Sequence, residues 1–253
     1  MTKIQVVGVD IVLSRRETVA AWRALKLAAA LGAPLASVAA SPEGVRISTT
    51  DVVDDSDTPT WWFWVLIRDV DLGTPAILVP PGEAATALQS VWGDSGGDAF
   101  GPSGAVRVAV RGGRLEFLGP AGESAVEGKN VRVGGPGDIV FAAGEPVVSA
   151  RFIAEDMWFG RLPSRGEAVV ELAARHLRVA GVAGGKFEAE AIRVEPLEYD
   201  ISGRYPARVL QLSINLPRGD LMILDFTNST THPDLEVYSG GLNGSFRLWV
   251  RHT

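Results

Sequence analysis

Residues 14–51 have the sequence SRRETVAAWRALKLAAALGAPLASVAASPEGVRISTTD, and this stretch decides the fold. Ser14 and Glu17 have the spacing of a capping box, in which both side chains accept backbone N–H groups at the start of a helix. Gly32 follows an alanine-rich segment and is typical of a helix end. The apolar residues of Leu35–Ser48 then alternate on either side of a turn, which indicates two strands. The stretch therefore predicts a helix followed by an antiparallel pair of strands.

The same order of a helix followed by strands is predicted four times along the chain. The predicted helices are Ser14–Leu31, Gly82–Trp92, Val147–Phe159 and Tyr205–Leu216. The alternating apolar stretches that follow them are Leu35–Ser48, Ala105–Phe117, Ala168–Val179 and Leu221–Phe226. Equivalent elements recur at an interval of roughly 60 residues, which is typical of a protein built by duplication.

The fourfold pattern divides into two halves of similar length. Gly119–Pro146 is rich in glycine and proline and has little apolar periodicity, so it is the candidate connector between the halves. We therefore predict a first domain at residues 1–125, a connector at 126–146 and a second domain at 147–253.

The composition is typical of a soluble globular protein. Of the 253 residues, 46% are hydrophobic and 21% are charged. The longest apolar run, Trp61–Ile67, is too short to span a membrane, and the N-terminal residues lack the pattern of a signal peptide. The absence of cysteine excludes disulfides and thiolate metal sites. We expect a cytoplasmic protein.

The sequence contains no recognisable arrangement of catalytic groups. The three histidines, His176, His232 and His252, have no metal-binding spacing, and no phosphate-binding glycine loop or nucleophile motif is present. We therefore predict a protein that is not an enzyme and that uses no cofactor and no metal.

The first predicted helix concentrates basic residues on one side. At 100° per residue, Arg15, Arg16, Arg23 and Lys26 fall within a sector about 100° wide. This sector is either a solvated outer face or a surface for nucleic-acid phosphates, which are bound by spaced cations without base readout. The net charge of −6 argues against a generally basic nucleic-acid-binding protein, but it allows a local basic face.

Short motifs in this order resemble those of the DNA sliding clamps. In the first half, Ala33–Val38, Glu43–Asp51 and Ile77–Pro80 resemble the strands and turns of a bacterial β-clamp domain. In the second half, Leu221–Phe226, Pro233–Tyr238 and Gly244–Val250 resemble the closing strands of archaeal and eukaryotic clamps.

The resemblance implies an α+β fold with two clamp-like domains. Each domain would contain two βαβββ motifs, with helices on one side of antiparallel sheet. Clamps form rings in which the helices line the hole and the sheets lie outside, so two domains per chain imply a homotrimer if the ring keeps six domains.

The same resemblance implies a sequence-independent double-stranded DNA partner and a surface that binds peptides of DNA polymerases or repair proteins. The residues expected to face the DNA are Arg15, Arg16, Arg23, Lys26, Arg161, Arg165 and Arg208.

Two other classes of protein are compatible with the sequence. A non-enzymatic β-rich structural or assembly protein, such as a phage or secretion-machine component, explains the glycine-rich loops and aromatic strands. An enzyme whose site is not evident from the sequence, such as a small-molecule barrel, is the third alternative.

Overall fold

The computed structural model describes residues 10–52, 58–93, 104–140, 144–196, 200–242 and 244–253. Four consecutive repeats of strand, helical segment and three strands run through these residues. The first repeat consists of β1 (Asp10–Leu13), α1 (Arg15–Ala30), β2 (Ala36–Ala40), β3 (Gly44–Thr50) and β4 (Trp61–Arg68). The second consists of β5 (Pro75–Val79), α2 (Pro81–Ser90), β6 (Val106–Arg111), β7 (Arg114–Gly119) and β8 (Gly122–Glu127), and it is followed by β9 (Lys129–Arg132).

The third and fourth repeats have shorter helical segments. The third consists of β10 (Pro146–Ile153), two 3-10 turns (Ala154–Asp156 and Phe159–Arg161), β11 (Glu167–Ala173), β12 (His176–Gly181) and β13 (Lys186–Glu190), followed by β14 (Arg193–Glu195). The fourth consists of β15 (Ile201–Pro206), α3 (Ala207–Leu212), a 3-10 turn (Ser213–Asn215), β16 (Leu221–Thr227), β17 (Asp234–Gly241) and β18 (Gly244–Val250). The α+β fold class predicted from the sequence is confirmed.

The chain divides into two compact units. The first contains the described residues within Met1–Thr49 and Leu66–Val140, and the second contains those within Thr50–Val65 and Phe141–Thr253. Residues 126–140 thus belong to the first unit, and β9 pairs antiparallel with β5 there. That two separate domains are joined at 126–146 stays a prediction.

Within each unit, the first strand of either repeat pairs with the strand that follows the helical segment of the other repeat. In the first unit, β1 pairs with β6 and β5 pairs with β2; in the second, β10 pairs with β16 and β15 pairs with β11. All four pairings are antiparallel. Two of them, β1 with β6 and β15 with β11, belong to four-stranded sheets with the orders β1-β6-β7-β8 and β13-β12-β11-β15. Representative partners are Ile11–Val108, Val38–Ile77, Ala150–Leu224 and Val170–Gly203.

Each unit has its own apolar core of alternate strand residues and the inner faces of the helical segments. In the first unit, buried side chains include Leu13, Leu25, Ile47, Ile77, Leu88 and Phe117. In the second, they include Phe152, Phe159, Tyr205, Leu224, Phe226 and Phe246. α1 packs against α2, and α3 packs against β11, β15 and the 3-10 turn at Phe159–Arg161.

The sequence Arg111-Gly112-Gly113-Arg114 is typical of a hairpin turn, and it forms the turn between β6 and β7. Gly112 has a φ of 57° and Gly113 a φ of 82°, as a two-residue type I′ turn requires. Arg111 and Arg114 are cross-strand partners at the base of this turn.

The prediction of a helix at Val147–Phe159 is wrong, because β10 occupies most of this stretch. Val148, Ala150 and Phe152 are buried, whereas the residues between them are partly or fully exposed. A burial period of two is that of a strand with one face on the core, and it outweighs the local helical propensity.

The helix predicted at Tyr205–Leu216 is only half as long as expected. β15 continues through Pro206, and α3 then makes fewer than two turns before the 3-10 turn at Ser213–Asn215. The stretch Gly119–Pro146, predicted to be a weakly patterned connector, contains β8 and β9.

A buried carboxylate fixes the end of the first unit. The side chain of Asp138 is completely buried, and its carboxylate accepts hydrogen bonds from Arg46 Nη2 at 2.6 Å, Ser37 Oγ at 2.6 Å and the backbone N–H of Gly134 at 2.8 Å. Ser48 Oγ donates to the carbonyl of Ile139 at 2.5 Å. These bonds join the segment after β9 to the middle of β2 and β3.

We expect Asp138→Ala to lower the free energy of unfolding by about 3 kcal/mol, because it leaves the Arg46 guanidinium buried without its carboxylate. Urea unfolding followed by circular dichroism measures this loss. Asp71→Ala, at an exposed position of the same unit, is the matched control and should change stability by less than about 0.5 kcal/mol. Equal effects of the two substitutions would contradict the role of Asp138.

Candidate nucleic-acid interface

The exposed side of α1 carries four cations. Arg15, Arg16, Arg23 and Lys26 are all exposed, whereas Ala20, Ala21, Ala24, Leu25, Leu27 and Ala28 on the other side are buried. The structure thus brings together the four basic residues that the helical period placed in one sector. We call these four residues the α1 cationic face.

The start of α1 is held by the capping box that the sequence predicts. The backbone N–H of Ser14 donates to Glu17 Oε2 at 2.8 Å, and Ser14 Oγ accepts the N–H of Glu17 at 3.4 Å. The Glu17 carboxylate also accepts two hydrogen bonds from Arg68, at 2.7 Å from Nε and 2.9 Å from Nη2. The first turn of α1 is therefore anchored to the end of β4, and this fixes the backbone that carries Arg15 and Arg16.

The pKa of Glu17 reflects this anchoring. Burial of the carboxyl raises its pKa, but the hydrogen bonds from Arg68 and Ser14, with the positive charge of Arg68, outweigh burial and lower the pKa below its ordinary value. Glu17 is therefore ionised at neutral pH, and it is paired with Arg68.

The positions of two of the four cations in α1 oppose helix stability. Arg15 and Arg16 lie in the first turn, where the helix dipole is positive, and no basic residue lies in the last turn, where a cation is favoured. A cation at the wrong end of a helix costs roughly 0.3–1 kcal/mol. Stability of the helix therefore does not explain why Arg15 and Arg16 are in the first turn.

An aromatic pair lies beside the α1 cationic face. The ring of Trp22 meets that of Trp92 edge-on with centroids 5.2 Å apart. Lys26 Nζ is 5.6 Å from the Trp22 ring centroid, within range of a cation–π contact. This contact holds the lysine near the helix surface while leaving it exposed to solvent.

The other helical segments contribute fewer cations. In α2 the only charged residue is Glu83, which is exposed. In the second unit, Arg161 ends a 3-10 turn, Arg165 lies in the turn before β11, and Arg208 is in α3; all three are exposed. The predicted DNA-facing residues thus form two groups, one in each unit.

Within the described ranges, no group of three or more histidine and acidic side chains is placed to hold a metal ion. The same ranges contain no helix that is both long and apolar enough to cross a membrane.

Sequence reasoning missed a pair of histidines. The rings of His232 and His252 lie with their centroids 4.9 Å apart in the second unit. His232 precedes β17 and His252 follows β18, and Leu235 faces Val250 in this hairpin, so the residues that flank its open end meet. The strands at Pro233–Tyr238 and Gly244–Val250 are predicted from the sequence, and counting outward from the turn between them brings His232 and His252 to the same end of the hairpin.

Comparisons with known proteins identify the fold. No protein-family model matches the chain, and no curated protein sequence matches it. Among solved structures, the chain is similar to PCNA from A. fulgidus with the C-terminal region of FEN-1 bound, at a TM-score of 0.65 and 12% identity over 97% of this chain and 98% of that one. For PCNA from Entamoeba histolytica the TM-score is 0.63, with 10% identity over 96% and 98% of the two chains.

The chain is also similar to a bacterial clamp. The Helicobacter pylori β clamp bound to a DNA ligase peptide has a TM-score of 0.59 and 12% identity over 96% of this chain and 66% of that one. The chain therefore has the sliding-clamp fold, as its sequence motifs predicted.

We expect Glu17→Gln to lower the free energy of unfolding at pH 7 by about 1–2 kcal/mol, because it removes the charge from the hydrogen bonds with Arg68 and Ser14. The Glu17 pKa is lower in the folded chain than in the unfolded one, so its stabilisation is complete above the unfolded value of about 4.3 and is lost as pH falls through the folded pKa. Stability should therefore fall less steeply below pH 4.3 in the variant than in the unmodified protein. Urea unfolding at a series of pH values measures both effects.

Glu83→Gln, at the exposed glutamate in the first turn of α2, is the control for loss of a helix N-terminal carboxylate. If Glu17→Gln and Glu83→Gln have the same stability at every pH, the anchoring of α1 by Glu17 is refuted.

Proposed function

We propose that this protein is a DNA sliding clamp: a non-enzymatic ring that encircles duplex DNA and tethers DNA polymerase or repair proteins to it. The observation that carries the proposal is the α1 cationic face, presented by a chain with the sliding-clamp fold. The position of Arg15 and Arg16 against the helix dipole supports it, because a nearby polyanion would compensate this unfavourable placement.

The contacts that we propose are to DNA phosphates. Four exposed cations on one helix neutralise phosphates without reading bases, so binding would be independent of sequence and would weaken steeply with salt. Arg161, Arg165 and Arg208 would add to the contact from the second unit. This mode of binding leaves a ring free to move along the duplex.

We propose that the ring is a homotrimer. The chain contains four repeats in two units, and it covers 98% of the A. fulgidus PCNA chain but only 66% of the H. pylori β-clamp chain.

A heterologous contact between copies that closes on itself forms a ring and removes free sheet edges. Among the described strands, β8 and β13 end their four-stranded sheets with one edge unpaired, and we propose that β8 of one copy pairs with β13 of the next.

The proposed partners are peptides of DNA-processing proteins. The A. fulgidus PCNA structure contains the C-terminal region of FEN-1, and an H. pylori β-clamp structure contains a DNA ligase peptide. We propose that this chain binds segments of the same kind.

Native mass spectrometry should find a particle of three times the chain mass of 26.8 kDa. The reason is that three chains with two units each complete a six-unit ring. Light scattering at several micromolar concentrations checks that the mass does not depend on the ionisation conditions. A strict monomer throughout this range would contradict the ring.

Reversal of charge on the α1 cationic face should abolish retention on DNA. In Arg16→Glu/Arg23→Glu, two phosphate-attracting groups become repulsive, so we expect loss of retention on a nicked circular duplex during gel filtration. The unmodified ring should stay on the circle and leave after the circle is cut, since a cut end lets a ring slide off. Anisotropy of a labelled duplex should also show a smaller dependence of affinity on salt for the variant.

Lys129→Glu/Arg175→Glu makes the same change of charge at exposed residues of β9 and of the turn between β11 and β12, and it should leave retention unchanged. The mass of both variants is measured in the same experiment, so loss of the ring is distinguished from loss of DNA contact. Retention of Arg16→Glu/Arg23→Glu would reject the α1 cationic face as the DNA surface. Failure of the unmodified protein to stay on circular DNA would favour a structural or assembly protein.

A further inference from the structure

The open end of the β17–β18 hairpin holds two imidazoles at close range. The ring centroids of His232 and His252 are 4.9 Å apart and the ring planes are tilted by 60°. His232 is exposed and His252 is partly exposed, so both can be reached from solvent.

The backbone on both sides of this pair is fixed. Asp234 Oδ1 accepts the backbone N–H of His252 at 3.0 Å, and Asp234 Oδ2 accepts from Asn228 Nδ2 at 2.8 Å. The backbone N–H of His232 donates to Ser229 Oγ at 3.2 Å. The pair is therefore held by the β16–β17 loop and by the segment after β18.

The ring of His252 also has fixed neighbours. The ring of Tyr205 meets it edge-on at 6.2 Å, and the N–H of Thr253 donates to the carbonyl of Arg204 at 3.0 Å. The hydroxyl of Tyr205 donates to the carbonyl of Pro233 at 2.8 Å, which fixes the residue between His232 and Asp234.

Charged side chains of both signs lie near the pair. Asp234 and Glu167 supply negative charge near His252, and Arg204, which pairs with Glu167 at 3.4 Å, supplies positive charge there. The carboxylate of Asp234 is thus the charge that would favour an added cation.

We propose that His232 and His252 form a binding site for a divalent transition metal ion of the zinc class. Two imidazole nitrogens bound to one tetrahedral ion, each about 2.0–2.1 Å from it, place their ring centres roughly 5 Å apart, which agrees with the observed separation. Imidazole nitrogen selects zinc, copper or nickel over magnesium and calcium. No third ligand from the described residues is in place, so water fills the remaining positions.

Such an ion would join the β16–β17 loop to the segment after β18. Because Thr253 is hydrogen-bonded to Arg204, this junction also affects the contact of that segment with β15. The metal site is independent of the proposed function, since it involves neither the α1 cationic face nor the edges of β8 and β13.

The test uses the full chain without a histidine tag, titrated with zinc chloride in a calorimeter at neutral pH after treatment with a chelator and its removal. We expect one zinc ion per chain. His232→Ala and His252→Ala should each weaken zinc binding by about tenfold or more, because each removes one of two protein ligands. Addition of zinc should raise the melting temperature of the unmodified protein and not that of either variant.

His176→Ala is the matched control, because His176 is the one histidine of the chain outside the pair and lies on β12. It should bind zinc as the unmodified protein does. His232 is exposed, so its replacement tests the site without disturbing the core. Zinc binding that is absent, unchanged in His232→Ala, or reduced equally by His176→Ala would overturn the proposal.

Discussion

The exchange of first strands between paired repeats is the constraint on which the structure depends. A strand in a repeat leaves its backbone N–H and C=O groups unpaired unless another strand accepts them. Here β1 finds its partner in β6 and β5 in β2, and the same exchange joins β10 to β16 and β15 to β11. No repeat is complete alone, so the pair of repeats is the smallest unit in which these first strands have their partners. The exchange also leaves the helical segments free to pack together, as α1 and α2 do.

Elements with strong local signals could be predicted from the sequence. The capping box at Ser14 and the glycine turn at 112–113 each fix a backbone geometry through a few adjacent residues, and both are present. The helix prediction for Val147–Phe159 is wrong because the apolar residues of this stretch fit a helix as well as a strand. Pairing of β10 with β16 decides in favour of the strand. β9 has the sequence KNVR and no apolar period; only its pairing with β5 makes it a strand. Long-range pairing is the information that one sequence read locally lacks.

The two candidate sites differ in how visible they are in the sequence. The α1 cationic face lies within one helix, so the period of 3.6 residues alone brings its members together. The histidine pair joins residues twenty positions apart, and its distance depends on the register of a hairpin, in which Leu235 faces Val250. A shift of one residue in that register would have changed which residues meet at the open end of the hairpin.

The distribution of charge makes the proposed DNA contact weak and sensitive to salt. The chain has a net charge of −6, so a duplex is repelled by the protein as a whole. Salt at physiological concentration screens exposed charges beyond about 8 Å, so the cations closest to the phosphates decide the contact. Among the three α-helices, exposed cations are concentrated on α1, whereas Glu83 is the only charge in α2 and Arg208 the only one in α3. Under the proposed function, few phosphates would be neutralised per chain, and the resulting weak, salt-sensitive attraction is the kind that holds a ring near DNA without stopping its movement.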